Sequence, residues 1–323
     1  MNGLTAIPGI RVGHASDLEA LTGCTAILTE AGSTGGVSVG GSATGTEELG
    51  ALEPGHVAGR VHAVVLAGGS AFGLEAASGV RRYLERQGIG FETSAARVPI
   101  VPCAILYDLG IGRPDVRPTR EMGEAAVRAA TGGAVEEGAV GAGTGATVGK
   151  LFGMRQAMKS GLGSAAVTLE GPLAGVKVAA LAVVNALGDV VDPLTGAIVA
   201  GARVSSESLE FAGSARQMKR GMSGGFRPEN TTLVVVATNA LLTRVEARKL
   251  AELASLGMAR AINPVNTMSD GDIVIALSIG GERAPVDALG VAAAEAVAES
   301  ILRAVRLAPS LGGLPGLASL NRA

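Results

Sequence analysis

The sequence predicts an α+β fold in which helices pack on two stacked sheets. Strand-like apolar runs come in adjacent groups, helix-like segments come in pairs, and strict β-α-β alternation is missing. With 323 residues and 47% hydrophobic content the chain can bury a large core, and it reads as a single domain over 1–323.

Residues 61–67 (VHAVVLA) are a short β-branched run closed by Gly68 and Gly69, the pattern of a buried strand and a turn. From Ser70 to Gln87, Leu74, Ala77, Val80 and Leu84 recur at helical spacing, and Gly88 can stop that helix. Residues 98–107 read as extended and 120–130 as helical. Strands are expected at 164–169 and 176–185, and 188–196 (GDVVDPLTG) carries hairpin punctuation. The stretch 212–230, rich in Gly, Ser and Arg, reads as an exposed loop running into the clearest strand, 231–238 (TTLVVVAT). Thr243-Arg-Val-Glu246 is a capping-box pattern that opens a helix to about Met258. A strand at 272–279 and an Ala-rich helix at 286–305 follow.

Composition removes several function classes. Lys and Arg number 27 against 29 Asp and Glu, a net charge of -2, so nothing basic points to nucleic acid. With no Trp, two Tyr and five Phe, the chain has little to stack on bases. Cys24 and Cys103 lie too far apart for a disulfide framework or a zinc pair and are expected as small buried hydrophobes. His14, His56 and His62 show no metal-ligand spacing, and no cofactor is expected. The opening MNGLTAIPGIRVGH lacks the basic and apolar regions of a signal peptide, and no apolar stretch reaches membrane-spanning length. The expected location is cytoplasmic, with no membrane partner.

Chemistry gathers at a few points. Asn230-Thr231-Thr232 joins a loop to a buried strand. β-Propensity alone accounts for hydroxyls there, but a break at 230–231 would give Thr231 a free α-amine beside its own hydroxyl. Such an amine has a pKa of about 7.7–8.0 and can accept the hydroxyl proton, which makes threonine a nucleophile. Asp270-Gly-Asp272 precedes the next strand. It reads as a turn with solvated acids, as two carboxylates that bind a cation, or, since nothing nearby supplies further hard ligands, as a pair holding an ammonium. The glycine loop 141–150 (GAGTGATVGK) fails as a phosphate loop, because Thr144 and Leu151 stand where Gly and Ser or Thr belong. It presents Lys150, either as an exposed lysine or as a stabiliser of negative charge. Asn185 sits in an apolar run and needs partners, as a core amide or an oxyanion donor, and Tyr107-Asp108 interrupts an apolar segment in the same way.

Seven segments in order resemble the DmpA-type L-aminopeptidase/D-esterase family, which includes β-peptidyl aminopeptidases and the nylon-oligomer hydrolase. They are IPGIRVGH, LAGGSAFGLEAA, VPIVPCAILYDLG, GAGTGATVGK, VVNALG, ENTTLVVVATNA and NTMSDGDIVIALS, and they span nearly the whole chain. The resemblance implies an αββα sandwich of the N-terminal-nucleophile hydrolase type, assembled as a homo-oligomer of αβ units. It implies autocleavage at Asn230–Thr231, giving an α chain of 1–230 and a β chain of 231–323. Thr231 matches the family's nucleophile, Asp270 and Asp272 its acidic pair, Asn185 its oxyanion amide, Lys150 its lysine and Tyr107 its active-site tyrosine. The aminopeptidase branch has Ser at the first acidic position, so Asp270 is similar to the nylon-hydrolase branch. Lys159-Ser-Gly-Leu-Gly-Ser164 resembles the lysine-glycine segment of the aminopeptidase branch, so Lys150 and Lys159 both stand for the lysine role. The implied function is hydrolysis of amides in small peptides, β-peptides or nylon-type oligomers through an acyl-enzyme on Thr231. An ornithine acetyltransferase-like acyl transferase, or a catalytically silent scaffold, is the alternative.

Overall fold

The chain opens with Arg11–Asp17 (β1), which pairs antiparallel with Thr22–Val39 (β2), the longest strand of the computed structural model. The structure describes residues 3–222 and 229–320. β2 reads TGCTAILTEAGSTGGVSV, with four glycines and no sustained alternation, so periodicity does not reveal it. Its two halves serve different sheets. The first half pairs with β1 and with Val61–Ala67 (β4), beyond which come Cys103–Ile105 (β5) and Gly45–Glu47 (β3). The second half pairs with Ile273–Glu282 (β9). Thr231–Ala240 (β8), Lys177–Asn185 (β7) and Leu162–Thr168 (β6) then follow in order.

Among the described residues, two parallel strand pairs interrupt the antiparallel pattern, and each has a crossover helix. Glu75–Arg86 (α1) lies between β4 and β5, and Arg244–Ala261 (α4) lies between β8 and β9. Arg120–Arg128 (α2) accompanies α1, and Val286–Arg306 (α5) accompanies α4.

The alternation of side chains along each strand makes four layers. On β7, Val178, Ala180, Ala182 and Val184 pack with Leu250 and Met258 of α4 and Val297 and Ile301 of α5. Ala179, Leu181 and Val183 face the other sheet, joining Ile27 of β2 and Val64 and Leu66 of β4. Ala63, Val65 and Ala67 of β4 turn outward to Val80 and Leu84 of α1 and Val127 of α2. The result is the expected αββα sandwich. Because the strands are buried on both faces, they read as unbroken apolar runs. Cys24 and Cys103 are free and fully buried in the α1–α2 layer, as expected of small hydrophobes.

The structure corrects several element boundaries. Ser70–Leu74 is a 3-10 turn, and the α-helix begins at Glu75. Within 98–107 only Cys103–Ile105 is a strand of the main sheet. The hairpin runs further than 188–196, pairing Asp189–Val191 with Ile198–Ala200. The stretch 212–230 is not a plain loop: Ser214–Lys219 (α3) is helical. The buried Asp189 carboxylate anchors it, accepting Ser214 N and Oγ at 2.6 Å and Ala202 N at 2.8 Å. Residues 223–228 of that stretch lie outside the described residues. The capping box forms, with Thr243 N donating to Glu246 Oε2 at 2.8 Å.

Candidate active site

Thr231 is the first residue of β8 and Asn185 the last of β7, and the antiparallel register sets them opposite one another. Both share the parity of Leu181, Val183, Leu233 and Val235, which line the inter-sheet core, so the two side chains lie at its rim. Thr232 has the opposite parity. The 230–231 junction itself is buried, with Asn230 3% and Thr231 4% exposed. The reason is local pairing. Asn230 forms a parallel bridge with Asp270, and its Nδ2 donates to Ser269 O at 3.2 Å. The Asn230 carbonyl oxygen accepts Thr231 Oγ1 at 2.5 Å and Gly271 N at 2.7 Å.

Asn185 is a satisfied amide with a defined orientation. Its Oδ1 accepts Thr147 N at 3.1 Å, Thr147 Oγ1 at 3.2 Å and Lys150 Nζ at 2.8 Å. Its Nδ2 donates to Tyr107 O at 3.0 Å and to Glu229 O at 3.4 Å. Lys150 Nζ also donates to Asn185 O at 2.8 Å and Glu229 O at 3.5 Å. Burial pulls the Lys150 ammonium down to about 7, against the opposing charges of Asp270, Glu229, Asp108 and Asp272. Lys150 is half-buried with its Nζ bonded to Asn185 and Glu229, and the reading of it as an exposed surface lysine is set aside.

Asp270 and Asp272 are each 1% exposed, which excludes the solvated-turn reading. Their carboxylates hold backbone. Asp270 accepts Leu187 N at 3.3 Å, Thr267 N at 3.1 Å and Thr267 Oγ1. Asp272 accepts Thr232 N at 2.6 Å and Asn266 N at 2.8 Å. Burial, and then the neighbouring Asp270 charge, push the Asp272 carboxyl up to about 7.

The two candidate lysines part company. Lys159 is fully buried and donates to the carbonyls of Gly143 at 3.2 Å, Ala146 at 2.9 Å and Ser160. It ties the glycine loop together, whereas Lys150 meets Asn185 and the residue before Asn230. Tyr107 contributes its carbonyl to Asn185. The adjacent Asp108, buried and pushed up to about 6, accepts Thr22 Oγ1 at 2.8 Å and Gly69 N at 2.6 Å. Two participants escape sequence reasoning. Thr147 lies within the glycine loop, where its hydroxyl gives no signal. The Gly271 contact is made by a backbone N–H, which every residue but proline has. Among the described residues, no group of three or more His, Cys, Asp or Glu side chains is placed to hold a metal.

Comparison with known proteins identifies the family and the fold. The model of peptidase family S58 matches residues 2–318. A Mycobacterium tuberculosis (strain H37Rv) protein named as an uncharacterized aminopeptidase is 38% identical, covering 98% of this chain and 96% of its own. A 6-aminohexanoate-oligomer endohydrolase of Kocuria sp. is 30% identical over 93% of this chain and 84% of its own. The L-aminopeptidase D-Ala-esterase/amidase of Ochrobactrum anthropi, described as a variant of the Ntn hydrolase fold, superposes with a TM-score of 0.76. It shares 21% identity over 97% of this chain and 88% of that one. A Burkholderia sp. beta-aminopeptidase superposes at 0.68, with 25% identity over 98% and 90% of the two chains. The chain belongs to peptidase family S58 and is a hydrolase built on the N-terminal-nucleophile fold.

Proposed function

We propose that the chain cuts itself between Asn230 and Thr231, and that the freed Thr231 is the nucleophile for amide hydrolysis. The observation that carries this is the buried contact of Thr231 Oγ1 with its own preceding carbonyl, 2.5 Å from Asn230 O. In the cut, Thr231 Oγ1 adds to the Asn230 carbonyl carbon, and the C–N bond breaks as the Thr231 nitrogen takes a proton. The ester that results is hydrolysed by water, which leaves Asn230 as a carboxylate and Thr231 with a free amine and hydroxyl. The products are an α chain of 1–230 and a β chain of 231–323.

In the mature enzyme the α-amine, with a pKa of about 7.7–8.0, takes the hydroxyl proton as Thr231 attacks the substrate carbonyl. Asp270 and Asp272, already fixed by backbone donors, hold that amine. Before the cut, Asn185 Nδ2 and Lys150 Nζ are turned to the Glu229 carbonyl. Departure of that chain end releases them, and Asn185 then receives the substrate oxyanion, with Lys150 and Tyr107 beside it. The substrate class is the amide bond of small peptides, β-peptides or nylon-type oligomers, in keeping with relatives named aminopeptidase and 6-aminohexanoate-oligomer endohydrolase. Assembly into homo-oligomers of αβ units belongs to the same proposal and is read by sedimentation.

The test is a pair of variants assayed on a panel of such amides. Thr231→Ala stays one chain and loses hydrolysis, while Thr232→Ala still cleaves. Normal maturation of Thr231→Ala would place the nucleophile elsewhere.

A further inference from the structure

We infer that the backbone N–H of Gly271 is a catalytic oxyanion donor for the self-cleavage step, and that residue 271 is glycine because a side chain would displace the nucleophile. This rests on the proposed cut at 230–231. As Thr231 Oγ1 adds to the Asn230 carbonyl, negative charge gathers on Asn230 O. Gly271 N already donates to that oxygen at 2.7 Å. The Thr231 hydroxyl touches the same oxygen, but it is the attacking group and gives up its proton, whereas the amide stays in place throughout the reaction. Asn185 and Lys150 meet the carbonyl of Glu229, one residue upstream. Self-cleavage and substrate hydrolysis therefore draw on different donors.

The 270–271 peptide is held from several sides. Its carbonyl accepts Ala43 N at 2.9 Å, and the Asp270 side chain is fixed by Leu187 N and Thr267 N. A donor pinned in this way needs no reorganisation as charge develops, the condition under which such donors contribute most. The glycine has a steric reason. Its φ lies outside the left-handed region, so backbone strain does not demand it, but a Cβ there would lie 2.8 Å from Thr231 Oγ1 and 2.7 Å from Ala43 O.

The test follows freshly purified wild-type and Gly271→Ala chains by intact mass. Wild type yields the 231–323 fragment, and Gly271→Ala, whose Cβ would crowd Thr231 Oγ1, yields it about a hundredfold more slowly, the usual cost of misplacing a reacting group by about 1 Å. Equal rates would overturn the inference while leaving the proposed cut intact, whereas an uncut wild type would overturn the cut itself. A second measurement covers a Gly271→Ala chain that fails to fold. In Thr231→Ala protein labelled with 15N-glycine and 13C-carbonyl asparagine, a scalar coupling across the hydrogen bond should join Gly271 N to Asn230 C′. Folded Thr231→Ala lacking that coupling would also overturn the inference.

Discussion

Thr231 and Thr232 differ by one position and therefore by the layer their side chains face. Thr231 turns to the inter-sheet rim with Asn185, while Thr232 gives its backbone N–H to Asp272. The acidic pair makes the sharpest prediction at this scale. Asp270→Asn and Asp272→Asn each replace a buried acceptor with a group that sets an amide against backbone N–H donors, a cost of about 1–3 kcal/mol. Both variants should slow self-cleavage at least about tenfold and lower the melting temperature, whereas a solvated turn acid shifts stability by only about 0.5 kcal/mol. Unchanged cleavage and melting in both would show that neither carboxylate bears on the cut or on stability. The positions named by resemblance were legible as motifs because side-chain chemistry marks them, though each alone also admitted a structural reading. Gly271 was not, since only the approach of a neighbouring carbonyl gives its N–H a purpose.

Elements that cross closely depend on what is absent from a side chain. β2 passes under α4 at Gly36, where a Cβ would come within 2.3 Å of the backbone of Ala247 and Arg248. Gly36→Ala should destabilise the protein by about 1–3 kcal/mol, the range for overpacked cores, read as a lower denaturant midpoint. The β2 glycines explain why the strand was invisible in the sequence: they admit close neighbours, at Gly36 a helix and at Gly23 the backbone of Ala15 and Gly141, and propensity counts them as breakers. The loop 141–150 offers a second test, through Lys159. Burial pulls this lysine from 10.5 down to about 7. Between those values the unfolded chain holds a proton that the folded chain does not, so stability should climb as pH rises from about 7 to 10.5. The penalty is complete below about 7. Lys150, pulled down to the same value, contributes to the same climb, so Lys159→Met should reduce its slope in urea midpoints by about half, and an unaltered slope would show that Lys159 does not titrate as described.

The described residues form four layers joined by a shared strand, with the candidate site at the rim of the middle seam where β7 and β8 meet the 270–272 turn. The stacked-sheet class was legible because strands buried on both faces leave unbroken apolar runs such as VHAVVLA and TTLVVVAT. The sharing of β2 between sheets was not, because it depends on pairing partners far apart in sequence. The central claim joins the cut at Asn230–Thr231 to activity, and one time course tests it. Intact mass and amide hydrolysis are followed together from the moment the chain folds. Hydrolysis should rise in step with the 231–323 fragment, whose sequence begins Thr-Thr-Leu-Val. An uncut chain that hydrolyses amides at the full rate would contradict it.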